Sequence, residues 1–276
     1  MGSWSIFSWL NRYMPTAAIT ISALSFSQSR ACIDIDRLEV AVGEIVAIVG
    51  PTGCGKTTFL KLLAGLLPPD PNARIMLFNK RITEVVAQGR INFSFQAPVL
   101  LPWLNVSENI ALPLRLLGRD ISGAERSTIK ESLRLVRLDP DVADLFPDKL
   151  SSGMASRVAV AQALVSGCDL LIMDEVFGTL DEVTRTDLDE TLREINDNRM
   201  KATILFVTHS IDEALLIGDR ILVFRCADPE HLAGSILADL PVKLPTRRAL
   251  VRYEPEFRAQ KIDIESRFPR SCAFAT

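Results

Sequence analysis

Residues 50–57 read Gly-Pro-Thr-Gly-Cys-Gly-Lys-Thr, between the apolar run EIVAIV (Glu44 to Val49) and an apolar stretch from Thr57 to about Leu67. The spacing fits G-x-x-x-x-G-K-[ST], which needs a buried strand feeding a tight turn that opens a helix. Glycines let the backbone curl so that successive N–H groups face one point, and the helix behind adds the positive end of its dipole. Lys56 supplies a cation for β and γ phosphates, and the Thr57 hydroxyl is a ligand for Mg²⁺. Gly50, Pro51, Thr52, Gly53, Cys54, Gly55, Lys56, Thr57 and Thr58 are therefore the candidate phosphate-binding residues. Pro68 and Pro69 end the helix.

At 276 residues and 48% hydrophobic, the chain is long enough for one large α/β domain. Residues 18–49 hold two or three strands, beginning near Ile19, Ile21 and Leu24 and again near Ile33, Ile35, Leu38 and Val40. Further strands are expected at Ile75–Phe78, Ile91–Phe95, Leu170–Met173, Ile204–Val207 and Ile221–Phe224. Between Gln96 and about Leu150 the texture is helical, with Ile129, Leu133, Val136 and Leu138 at helical spacing. Leu180, Leu188, Leu192 and Ile195 line one face of another helix. From about Ala227 the chain is Pro- and charge-rich and poorly patterned. Strands alternating with helices predict a largely parallel sheet.

Two further motifs follow the loop in order. Leu150-Ser-Ser-Gly-Met154 opens a helix, so Ser151 and Gly153 offer a hydroxyl and a backbone N–H to an anion. The run LLIMDE (Leu170 to Glu175) ends in two acids; Asp174 closes a strand where a carboxylate reaches Mg²⁺, and Glu175 is next.

These three motifs in this order resemble the nucleotide-binding subunit of ATP-binding cassette (ABC) transporters, over roughly residues 18 to 225. The resemblance implies a P-loop NTPase core of ABC type, an α/β fold with an antiparallel β subdomain and an inserted α-helical subdomain. It implies an N-terminal extension over 1–17, an ATP-binding core over 18–95 and 167–226, a helical subdomain over 96–166 and a C-terminal extension over 227–276. In the family, one subunit's phosphate loop faces another's LSGGQ-like segment with ATP between them, so Ser151, Ser152, Gly153 and Met154 would serve the second subunit's nucleotide. Ser152 departs from the family's glycine and adds a side chain where the backbone approaches phosphate. The matching residues assign Glu175 as general base, Gln96 as the Mg²⁺-sensing glutamine and His209 as the γ-phosphate contact. Asp181, in Gly178-Thr-Leu-Asp181, falls in the loop that crosses the dimer interface; Val176 stands where proline is usual. Phe26 is placed either to stack on adenine or in the core. Cys54, inside the loop, is either a small residue that fits or a thiol activated by the helix end and Lys56.

Pro98 to Leu114, with LLPW as its sharpest part, resembles importers of the nitrate, sulfonate and taurine type, where this region meets a coupling helix of the membrane subunit. Trp103 is then an exposed anchor, or else core. The implied cofactors are ATP and Mg²⁺. The implied partners are transmembrane permease subunits, a second ATP-binding subunit forming a homodimer and, indirectly, a solute-binding protein outside the membrane. The chain is expected at the cytoplasmic face of the membrane. A soluble ABC ATPase acting on ribosomes or DNA, and an exporter subunit, are the alternatives.

The net charge of −3 disfavours a general nucleic-acid binder. Five scattered cysteines lack metal-ligand spacing and read as reduced thiols. No stretch approaches the roughly 18 apolar residues a spanning helix needs. Trp4, Phe7, Trp9 and Tyr13 make the N-terminus aromatic, suited to a membrane, a partner or packing on its own domain.

Overall fold

The computed structural model describes residues 16–28, 31–119, 125–176, 192–193, 202–226, 235–244 and 249–268. Two sheets face each other across a helix. The first is antiparallel about β1 (Ala17–Gln28), which pairs with β2 (Ala31–Ile35), β3 (Leu38–Ala41) and β5 (Arg74–Leu77), the last extended by β6 (Lys80–Arg81). The second runs β11-β10-β4-β9-β8-β7. Its members are β4 (Ile45–Val49), β7 (Ile91–Ser94), β8 (Leu170–Asp174), β9 (Thr203–Val207) and β10 (Arg220–Arg225), all parallel, plus antiparallel β11 (Ser235–Pro241).

The continuous apolar runs of the parallel strands follow from burial on both faces. Ile45, Ala47 and Val49 of β4 point into one core, and Val46 and Ile48 into the other. β8, β9 and β10 divide in the same alternating way, as Leu171 and Met173 against Leu170 and Ile172 illustrate. One core lies between the two sheets and encloses α1 (Lys56–Leu63), whose Phe59, Leu60, Leu62 and Leu63 are fully buried. Phe59 packs on Phe224 of β10 with ring centroids 5.4 Å apart.

The other core lies on the opposite face of the parallel sheet. There the chain between β7 and β8 forms α3 (Val106–Leu116), α4 (Glu125–Leu135) and α5 (Ser152–Val165); a short α2 (Ile82–Ala87) precedes β7. α3 opens with a capping box: Glu108 N–H donates to the Asn105 side chain and Asn105 N–H to the Glu108 carboxylate, both at 2.9 Å. α6 (Ile211–Ile217) and α7 (Pro255–Arg267) complete this face. No described helix is long and apolar enough to cross a membrane.

Two expectations need correction. The helix after the phosphate loop ends at Leu63, four residues short of Leu67, because the chain leaves through Gly65 at φ 71°. The segment after Ala227 is not patternless: it holds β11 and α7. β11 is an edge strand only half buried, and α7 buries just Phe257 and Ile264, one apolar contact per two turns. The N-terminal aromatics and most of the helix expected over Leu180 to Ile195 lie outside the described residues.

The Phe59–Phe224 contact joins the phosphate-loop helix to the sheet. Phe224→Ala is expected to cost about 3–5 kcal/mol, measured by urea unfolding, because it opens a cavity between the sheets.

Candidate functional site

β4 delivers the chain to Gly50 at the carboxyl edge of the parallel sheet, where ligand sites of open α/β sheets form. A Cβ on Gly50 would lie 2.7 Å from the Phe224 carbonyl oxygen, so the turn closes against β10 only with glycine. Gly53 and Gly55 take φ of 83° and 97°, left-handed conformations that let the loop curl before α1 begins. Lys56 is buried, and its ammonium donates to the Gly50 carbonyl at 2.7 Å and the Pro51 carbonyl at 2.9 Å.

Thr57 Oγ1 donates to Asp174 Oδ1 at 3.0 Å, tying the first turn of α1 to the end of β8. Burial pushes the Asp174 carboxyl above its ordinary range; the Thr57 bond opposes this, the Glu175 charge adds to it, and Lys61 and Lys56 oppose it. Glu175 sits at φ 51°, a left-handed backbone that L-residues seldom adopt and that functional sites tolerate. Two bonds fix its carboxylate. Gln96 Nε2 donates to Oε2 at 2.9 Å, and His209 Nε2 lies 2.8 Å from Oε1, a bond that puts the imidazole proton on Nε2.

Six of the sequence candidates thus converge: Lys56, Thr57, Asp174, Glu175, Gln96 and His209. Thr57 hydroxyl, Asp174 carboxylate and the Gln96 amide oxygen form a hard-oxygen donor set of the kind Mg²⁺ takes. Ser151 to Met154 stand apart, at the start of α5. Ser151 is the N-cap, its Oγ accepting from Met154 N–H at 3.2 Å, and among the described residues it bonds no part of the phosphate loop. Ser151 and Ser152 are exposed. Asp181 lies outside the described residues.

Two alternatives resolve. Phe26 is only 5% exposed and belongs to the core between the sheets, so it does not present a face for adenine. Its neighbours Ser25 and Ser27 take the solvent side of β1, and strand alternation leaves Phe26 the inner one. The thiol of Cys54 is not activated. Burial pushes it up to about 11, outweighing Lys56, whose Nζ is 3.9 Å from Sγ.

Trp103 is 69% exposed, for which the residue pattern offers no reason beyond resemblance. The reason is Asn109, fully buried on α3. Its Oδ1 accepts Leu101 N–H at 2.8 Å, while its Nδ2 donates to the carbonyls of Leu101 and Leu104 at 3.2 and 2.9 Å. The Leu101–Leu104 turn is pinned from inside, and its tryptophan is left outside. Beside it a groove of about 250 Å³ is lined by Phe93, Phe95, Val99, Leu101 and Leu112. Asn109 follows the capping-box Glu108 directly and stands four residues after the N-cap Asn105, a lone polar residue in the sequence with no periodic pattern to mark it.

With this geometry in hand, the comparisons decide the family. Residues 34–178 match the family model described as "ABC transporter". The chain belongs to that family, as an ATPase cassette of the ABC type. It is 40% identical over 207 residues to the aliphatic sulfonates import ATP-binding protein SsuB of Bacillus cereus, covering 75% of this chain and 77% of that one. It is 38% identical over 228 residues to the bicarbonate transport ATP-binding protein CmpC of Synechococcus elongatus, covering 82% of this chain but only 33% of that longer protein. A dimeric structure of MJ0796, described as a bacterial ABC transporter cassette, superposes with a TM-score of 0.68 at 26% identity, over 82% of this chain and 99% of that one.

Asp174 is held where the neutral form is favoured, so at neutral pH its charge is a burden on the fold. Because the folded pKa is raised, that burden is absent at low pH and grows as pH rises through the folded value. Asp174→Asn is expected to raise the melting temperature of the nucleotide-free protein at pH 7.5 by up to about 3 °C. The gain should shrink on acidification, as differential scanning fluorimetry across pH will show.

Proposed function

We propose that this chain is the ATP-hydrolysing subunit of a membrane ABC transporter, working as a dimer beneath transmembrane permease subunits to drive uptake of a small oxyanion or sulfonate. The observation that carries the reading is the clasp on Glu175. A carboxylate aimed by Gln96 and His209, beside the Lys56–Thr57–Asp174 set, is placed to take a proton from water attacking a γ-phosphate. The loop N–H groups and Lys56 hold the β and γ phosphates, and His209, its Nε2–H held by Glu175, stands beside the γ-phosphate. Thr57, Asp174 and Gln96 would hold Mg²⁺, which when bound neutralises charge on the phosphates.

Ser151 to Met154 of a second copy, led by the exposed Ser151 and Ser152, supply the remaining donors, a hydroxyl and a helix N-terminus. ATP bridges the copies and favours the closed dimer; loss of the γ-phosphate releases it. In this reading Asp181 lies at the dimer interface. Residues 18–95 and 167–226 form the ATP-binding core, and 96–166 pass the motion to the permease at the cytoplasmic face. The groove beside Trp103, apolar and bearing the buried, unpaired Ser94 hydroxyl, is the seat for the permease segment. The cargo class rests on the LLPW element and on relatives named for sulfonates and bicarbonate, both small anions. An external solute-binding protein would then deliver the cargo.

Glu175→Gln keeps the side chain's shape and removes the base. With ATP and Mg²⁺ it is expected to elute as a dimer in size-exclusion chromatography, with turnover reduced at least about a hundredfold. A variant that stays monomeric at saturating nucleotide would contradict the sandwich.

A further inference from the structure

His209 lies in a three-residue connection between β9 and α6, and its neighbours on both sides are hydrogen-bonded. Thr208 N–H donates to the Ile48 carbonyl at 3.2 Å, which fixes the backbone before the histidine to the strand that feeds the phosphate loop. Ser210 N–H donates to Thr208 Oγ1 at 2.9 Å, and Glu213 N–H to Ser210 Oγ at 3.3 Å, which fix the backbone after it. The Thr208 hydroxyl in turn donates to the Glu213 carboxylate. Thr208 and Glu213 are 4% and 3% exposed. A carboxyl group buried on the inner side of this helix, beside Ile211, Ala214 and Leu215, is costly. A simple helix start would need only the Ser210 cap.

We propose that Glu213 is a positioning residue for His209, acting through the Thr208 hydroxyl. A hydroxyl carries one proton and two lone pairs. In this geometry a Glu213 carboxyl oxygen accepts the Thr208 proton and leaves the hydroxyl's lone pairs for Ser210 N–H. The polarity of the small network is thereby set by Glu213. With the backbone pinned on both sides, the half-exposed imidazole is aimed at Glu175, 2.8 Å away. If Glu213 did not take this proton, the hydroxyl could rotate and offer its hydrogen to the Ser210 N–H, and the connection would lose the bond that follows the histidine.

The inference rests on the reading that His209 serves hydrolysis, so the test includes His209→Ala as its own control. Steady-state ATPase of the full chain is measured for Thr208→Val, Thr208→Ser and Glu213→Gln, with circular dichroism melts of each. Misaiming a group that acts in the transition state lowers kcat and leaves ATP binding alone. Thr208→Val is expected to lower kcat about tenfold or more with KM for ATP within about twofold of the parent. Thr208→Ser, which restores the hydroxyl, should recover most of the loss. Glu213→Gln should lie between them, since its amide can present either a donor or an acceptor to Thr208.

Wild-type kcat in Thr208→Val alongside an inactive His209→Ala would overturn the proposal and leave the role of His209 intact. So would a Thr208→Ser variant no better than Thr208→Val. Normal turnover in His209→Ala would instead remove the reading beneath it, and the proposal with it. Should Thr208→Val fail to fold, Glu213→Gln decides alone: reduced kcat at unchanged KM supports the proposal, and wild-type kcat refutes it.

Discussion

A helix of eight residues has little stability of its own in water. α1 persists because Phe59, Leu60, Leu62 and Leu63 are enclosed between two sheets, with Phe59 against Phe224. That burial fixes where the helix begins, and its beginning is the phosphate loop. Gly50 closes on β10, Lys56 turns back onto the loop carbonyls, and Thr57 reaches Asp174. The position of each group follows from a packing contact elsewhere. Rigid strands and a trapped helix thus hold a loop that has no regular structure of its own.

The same edge of the sheet gathers charge. Lys56 and Asp174 are buried, and Glu175 carries a left-handed backbone. Each feature costs the empty fold something, and the large two-faced core offsets it. The arrangement suits a polyanion with a divalent cation: phosphate oxygens would answer Lys56 and the loop N–H groups, and a cation would answer Asp174. The Glu175 clasp joins three separate segments, since Gln96 follows β7, Glu175 follows β8 and His209 follows β9. A nucleotide bound there would bear on all three strands at once. Gln96 also leads into the Leu101–Leu104 turn that Asn109 pins and from which Trp103 projects.

Local chemistry was legible in the sequence wherever one residue type alone can do a job. The phosphate loop, the two acids ending β8 and the apolar strands all stand where their pattern placed them, because glycine conformations and two-faced burial leave clear marks. Phe26 was not legible: aromatic size suits both a core and a stacking surface, and only strand alternation decides between them. Cys54 looked activated because Lys56 is near in sequence, but burial dominates, and burial is a property of the whole fold. β11 and α7 escaped because each buries a single narrow stripe. Thr208 and Glu213 escaped for a different reason, since their bonds run between side chains five positions apart and leave no period to detect.

In the proposed dimer the site within one chain is half a site, completed by Ser151 to Met154 of another copy. Two inactive variants test it directly. Lys56→Ala spoils the phosphate loop, and Ser151→Arg spoils the opposing segment. A mixed dimer holds one site with both defects and one with neither. The account predicts that each variant alone is inactive and that ATPase activity reappears on mixing. A mixture that stays inactive, while wild-type chains under the same conditions turn over, would contradict a shared site.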